Sequence, residues 1–180
     1  MSCASLLFGG EFSDDDIART RAAKGLLSLE IEVGTACNFQ CRYCYVGDDH
    51  AQNPGDKQEL AEADLRGVIA QAQALGARKI ILLGGEPMLY DFTPELCAWI
   101  RGRGLGVEMF TNGTRMTPTI AARLFALRVH VVLKWHSADR RIQNWLSGVD
   151  DAAATMEQAL RALRAAGYPS PEARLALSTV

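Results

Sequence analysis

Cys37-Asn38-Phe39-Gln40-Cys41-Arg42-Tyr43-Cys44 sets three thiols within eight residues, spaced Cys-x3-Cys-x2-Cys. Immediately before it, Leu27, Leu29, Ile31 and Val33 alternate with Ser28, Glu30 and Glu32, the period of a β-strand. The polar, turn-rich stretch 47–56 follows it, so the cysteines sit on a loop at the carboxyl end of a strand. Thiolates are the usual ligands of [4Fe–4S] clusters, and three of them hold three irons of a cube. The fourth iron then has no protein ligand. An open position of that kind separates a catalytic metal centre from a closed structural one.

Two other readings compete for these cysteines. Zinc would take a fourth ligand, which His50 could supply, although zinc spacings usually pair two short knuckles. Disulfides fit less well, because five cysteines is an odd count that suits a reducing compartment. Cys97 falls within a helical pattern and reads as core, and Cys3 reads as incidental in a loose terminus.

Outward from the loop, strands and helices alternate. Ser13 followed by Asp14, Asp15 and Asp16 reads as a cap and first turn of a helix running to about Lys24. Leu65, Val68, Ile69, Ala72 and Leu75 have helical spacing and stop at Gly76. Strands are expected over 79–83, 106–110, 129–135 and 174–180. Helices are expected from a cap at Thr93, with Pro94 at the first helical position, to about Gly104, from Thr117 to about Leu127, and from a cap at Asp150 or Asp151 to Gly167. This order predicts a parallel α/β sheet of about five strands with right-handed crossovers. In such sheets ligands gather at the carboxyl ends of the strands. The unusual polar clusters fall at those ends: the cysteines, Gly84-Gly85-Glu86-Pro87, Thr111-Asn112-Gly113, and the segment from Lys134 to Asp139. That rim is the expected active site.

With 180 residues and 48% hydrophobic content the chain has the makings of one globular domain. Its net charge of −2 and the lack of any long basic run give no sign of nucleic acid or an anionic membrane as partner. The start, from Met1 to Phe8, lacks a basic leader, and no apolar run approaches the roughly 20 residues of a membrane span. A cytoplasmic location is the expectation. Met88, Met109 and Met116 read as packing residues, as do Trp99, Trp135 and Trp145, while Glu30 and Glu32 suggest a wet face at an open sheet edge.

Gly84-Gly85-Glu86-Pro87 taken alone is an ordinary turn, but it lies one strand beyond a Cys-x3-Cys-x2-Cys loop with Tyr43 before the last cysteine. In these two motifs the chain resembles the radical S-adenosylmethionine (radical SAM) superfamily, over about Leu27 to Val180. The resemblance implies a partial (β/α) barrel, preceded by an extension over residues 1–26 that carries a helix. It implies that Cys37, Cys41 and Cys44 hold a [4Fe–4S] cluster and that S-adenosylmethionine fills the open iron. Gly84, Gly85 and Glu86 would meet the methionyl end, with Glu86 taking the ammonium, and Tyr43 would lie beside the adenine. Thr111 and Asn112 at the third strand's end join the cofactor-binding set, and Ser137 could contact the ribose.

The fourth strand departs from the Ser-x-Asp ending common in the family. It carries Lys134 and His136 on one face, opposite Leu133 and Trp135, so both could reach cofactor or substrate; equally, Lys134 could snorkel to solvent and His136 serve as a rim residue. Ser178 and Thr179 occupy a place that touches the cofactor in relatives. The implied chemistry is reductive cleavage of SAM and hydrogen abstraction from a peptide or small-molecule substrate, with a flavodoxin- or ferredoxin-type one-electron donor. The alternative is a non-catalytic iron–sulfur or zinc module of a split or partner protein. The fifth strand ends at Val180 with nothing after it to cover the sheet, so a truncated core is expected, with Leu175 or Leu177 exposed.

Overall fold

Every strand of the sheet runs the same way, and the strands lie side by side in chain order, β1 to β5. The computed structural model describes residues 12–47 and 51–180. Cys3 and His50 lie outside the described residues, so neither reading placed on them is addressed by the structure. The strands are β1 (Ser28–Glu32), β2 (Lys79–Leu83), β3 (Gly106–Thr111), β4 (His130–Lys134) and β5 (Leu175–Ser178). The helices are α1 (Asp14–Ala22), α2 (Glu62–Ala74), α3 (Thr93–Gly102), α4 (Pro118–Ala126), α5 (Arg140–Ser147) and α6 (Ala152–Ala166), with a 3-10 turn at Pro87–Leu89. The expected five-stranded parallel α/β architecture is therefore present.

A parallel sheet built in sequential order, with crossovers of one hand, carries its helices on one face. The burial follows. Leu29, Ile31, Ile80, Leu82, Met109 and Leu133 pack into one core with Leu65 and Ile69 of α2, Leu96 and Ile100 of α3, Leu124 of α4 and Leu163 of α6. Glu30 and Glu32 belong to the alternate set of β1 and are exposed, as a wet edge requires. On the same alternate face, Lys134 holds its ammonium 5.3 Å above the Phe110 ring. Cys97, Met88, Met109 and Met116 are buried packing residues.

Several local expectations need correction. Thr93 is the first residue of α3 rather than its cap; Phe92 takes the cap position, and the Thr93 hydroxyl donates to the Pro87 carbonyl at 2.6 Å. Asp151 sits at the start of α6 without a side-chain capping bond. Ala51, within the stretch read as a polar linker, is buried and bridges to Ala36. Trp145 is exposed rather than packed. Helix α5 was not anticipated, because its eight residues bury Gln143 and Ser147 and so carry no apolar stripe toward the protein. Asp139, whose carboxylate accepts from Arg141 N at 2.8 Å, and Gly148 in the left-handed conformation were its legible end signals.

Candidate metal and cofactor site

The cysteine loop is held on both sides by backbone bonds. On one side the amides of Gly85 and Glu86 donate to the carbonyls of Gly34 and Ala36 at 3.0 and 2.8 Å. Gly84 has φ +126, and a Cβ on Gly85 would lie 2.1 Å from the Ala36 carbonyl oxygen, so these positions need glycine for the strand ends to close together. On the other side the amides of Gln40 and Arg42 donate to Ser147 and Leu146 carbonyls at the end of α5, at 3.1 and 3.0 Å. A Cys44 N to Cys41 O bond of 2.9 Å turns the chain so that the last two cysteines sit together. Phe39 is buried against Ala152 and Met156, with Cys37, Cys41 and Trp135 around it.

All three cysteines are free thiols and half-buried. Burial pushes Cys37 up to about 11, with further upward pressure from Glu86 and the other two cysteines. Burial likewise raises Cys41, helped by Cys44. Three thiolates this close repel one another in a partly dry site, and positive metal centres relieve that repulsion. The donor set therefore fits a metal cluster. Among the described residues no group of His, Cys, Asp or Glu is gathered tightly enough for a single metal ion. A four-iron cube asks for a different arrangement, one thiolate at each of separate corners.

Glu86 is only 1% exposed. Its Oε1 accepts from the Met88 amide at 2.9 Å and the Thr111 hydroxyl at 2.7 Å, and its Oε2 from the Asn112 amide at 2.7 Å. Burial pushes its carboxyl up to about 7, against the downward pull of those three donors. Thr111 and Asn112 thus meet the sequence-derived site through Glu86. Asn112 also donates to Asn38 Oδ1 at 3.1 Å, and Asn38 donates to the Thr114 hydroxyl at 2.9 Å, clamping the cysteine loop to the end of β3.

From β4, Lys134 lies in the field of Cys41 and Cys44; burial lowers its pKa and those two cysteines oppose the fall. Tyr43 directs its hydroxyl at His136 Nε2, with ring centroids 4.5 Å apart in an edge-on arrangement. Burial and the Lys134 cation lower the His136 pKa, and its Nδ1 is buried with no hydrogen-bond partner among the described residues. The backbone amides of His136 and Ser137 both donate to Gln143 Oε1, at 2.7 and 3.1 Å. The Ser137 hydroxyl accepts from Asp139 N at 3.0 Å, opening α5.

The rim thus brings together the cysteine loop, Gly84 to Pro87, Thr111 to Gly113, and Lys134 to Ser137. Two supporting side chains were missed. Gln143 escaped because α5 was not anticipated. Glu59 accepts from the Thr35 amide at 2.6 Å and from the Tyr90 hydroxyl at 2.6 Å, while Tyr90 accepts from the Ala36 amide at 3.0 Å. Nothing local marks Glu59, since its partners lie 24 and 31 residues away.

A sequence model of the radical SAM superfamily matches residues 31–177. A probable GTP 3',8-cyclase of Thermococcus kodakarensis is 27% identical over 151 residues, which span 84% of this chain and 47% of that protein. Among solved structures, Streptococcus suis SuiB bound to the precursor peptide SuiA superposes with a TM-score of 0.68 at 18% identity, covering 91% of this chain and 35% of that one. Native anSMEcpe with bound AdoMet superposes with a TM-score of 0.67 at 20% identity, covering 84% and 43%. The chain thus spans about half the length of that curated relative. Among the described residues, no helix is long and apolar enough to cross a membrane.

Proposed function

The chain belongs to the radical SAM superfamily, and from that membership we propose that its strand-end rim is a radical SAM active site. Cys37, Cys41 and Cys44 hold a [4Fe–4S] cluster, and S-adenosylmethionine (the AdoMet bound in anSMEcpe) occupies the position they leave open. When bound, the pair supplies an electron to the sulfonium and a 5'-deoxyadenosyl radical that takes hydrogen from a substrate.

The observation that carries this reading is the double anchoring of the cysteine loop, to Gly85 and Glu86 on one side and to the end of α5 on the other. It presents three thiols from a rigid frame with no fourth cysteine on the loop, which supports a cluster open at one corner. Gly84 and Gly85 let the backbone come close to the methionyl end, and Glu86 lends its carboxylate to the ammonium. Because its three present donors leave room for one more on Oε2, that contact adds to the existing bonds rather than replacing them. Tyr43, its ring fixed by His136, borders the adenine. Ser137 keeps its hydroxyl proton available for the ribose while accepting from Asp139. Lys134, half-buried over the Phe110 ring and in the field of Cys41 and Cys44, offers a cation toward the cluster side or the substrate.

An external one-electron donor of flavodoxin or ferredoxin type completes the scheme. The test is anaerobic reconstitution with iron and sulfide, then SAM and dithionite. Formation of 5'-deoxyadenosine is expected. A zinc or non-catalytic iron–sulfur module gives none, and that result overturns the reading.

A further inference from the structure

Glu108 of β3 is 3% exposed, and a carboxylate is seldom buried so completely. Its neighbours Val107 and Met109 point into the helix-packed core, so by alternation Glu108 faces the other side of the sheet. On the β2 side, the Lys79 ammonium lies 3.4 Å from Glu108 Oε2. Glu108 Oε1 is buried with no hydrogen-bond partner among the described residues. Buried polar atoms are nearly always partnered, so this oxygen calls for an explanation. On the β4 side, Glu108 lines a cavity of about 460 Å3 with His130, Val132, Pro171, Arg174 and Ala176. Lys79 takes no part in that lining, which leaves Oε1 as the oxygen toward the cavity. Glu108 lies four residues before Asn112, roughly 13 Å along the strand, so the cavity is distinct from the cysteine rim.

We propose that this cavity is a binding site for a small uncharged amide or lactam, whose N–H donates to Glu108 Oε1. The inference does not rest on the radical SAM reading, because none of these residues belongs to the rim. The charges around the cavity decide the class of ligand. Lys79 already balances Glu108. Arg174 adds a cation to the wall, and its Nε donates to His130 Nδ1 at 3.1 Å. Burial lowers the His130 pKa, and the Lys79 and Arg101 cations lower it further, so the imidazole is neutral near neutral pH. A cationic ligand would therefore meet net positive charge, while an anion would meet the Glu108 carboxylate. An uncharged N–H gives Oε1 the donor it lacks, and the amide carbonyl suits the Arg174 guanidinium. Val132, Pro171 and Ala176 supply apolar wall for the body of the ligand, and the volume is that of a small-molecule pocket.

The experiment is saturation-transfer NMR on the full chain, reconstituted anaerobically with iron and sulfide and titrated with three seven-membered rings. These are ε-caprolactam, N-methylcaprolactam, which lacks the N–H, and protonated azepane, a cation of similar size. Caprolactam should bind roughly fivefold more tightly than either of the others, the worth of one hydrogen bond. Glu108→Gln keeps the shape but turns an NH2 to the cavity while its carbonyl stays on Lys79. The preference for caprolactam over N-methylcaprolactam should then vanish. Ala176→Phe fills the cavity and leaves Glu108 in place, so caprolactam binding should be lost. Absence of caprolactam binding, or equal binding of the two lactams by the unaltered chain, overturns the proposal. So does tighter binding of azepane, because the charge argument then fails. Caprolactam binding that survives Ala176→Phe overturns it too, since the probe then lies elsewhere. The comparison of the three rings is read on the unaltered chain and needs no variant to fold.

Discussion

Replacing Glu86 by glutamine removes a buried negative charge and also one hydrogen-bond acceptor. In the native protein three donors converge on its carboxyl: the amides of Met88 and Asn112 and the hydroxyl of Thr111. A protonated carboxyl keeps both backbone amides satisfied. Its acidic proton turns to the Thr111 oxygen, and both carboxyl oxygens still accept from the amides. Glutamine cannot do this, since its NH2 nitrogen accepts nothing and must face one backbone N–H in either orientation. One buried amide is left without a partner, which costs about 1–3 kcal/mol.

The charge acts in the opposite direction. Burial lifts the Glu86 carboxyl from 4.5 to about 7. A group raised in the fold gives stability that is fully present below its unfolded pKa of 4.5 and is lost as pH rises through 7. Complete ionisation costs the native state on the order of 3 kcal/mol. Glutamine does not titrate, so Glu86→Gln should be less stable than the native chain by about 2 kcal/mol near pH 5. The gap should close as pH rises above 7. Urea unfolding of the metal-free protein under reducing conditions at pH 5 and pH 8 measures both gaps. A gap that is the same at both pH values refutes the raised carboxyl, and no gap at pH 5 refutes the three-donor cradle.

Cys41→Ala should abolish the brown chromophore on reconstitution, while Cys97→Ala should retain about four irons per chain, because Cys97 is buried in α3 as a packing residue; iron analysis and absorbance separate the two. Gly85→Ala places a Cβ 2.1 Å from a carbonyl oxygen, so the loop must move; a loss above about 2 kcal/mol in urea unfolding, with weaker cluster retention, is expected. Tyr43→Phe removes the bond to His136 and should weaken SAM binding by roughly 1 kcal/mol in calorimetry, with unchanged iron content. Leu177 on edge strand β5 is 50% exposed, so the 180-residue chain should self-associate in light scattering, and Leu177→Lys should reduce it.

The alternation of strand and helix was legible because each element carries its own periodicity and stop signal, as with Leu65 to Gly76. The cysteine spacing and Gly84-Gly85-Glu86-Pro87 were legible because each motif is local, complete within eight residues or fewer. The sequence alone thus determined the fold class, the rim and the candidate ligands. What the tertiary structure decided are the relations between distant residues. Asn38 and Asn112 are 74 apart in the chain, Tyr43 and His136 are 93 apart, and Arg42 and Trp145 are 103 apart. No periodicity encodes such pairings; they exist only because a parallel sheet in sequential order brings its strand ends to one rim. Helix α5 shows the same limit from the other side. Its apolar Ile142 and Trp145 face outward while its buried Gln143 satisfies two backbone amides, so hydrophobic patterning could not place it against a core. Glu86 looked like a carboxylate offered to a ligand, and only the fold revealed that it also fastens the end of β3 to the turn after β2.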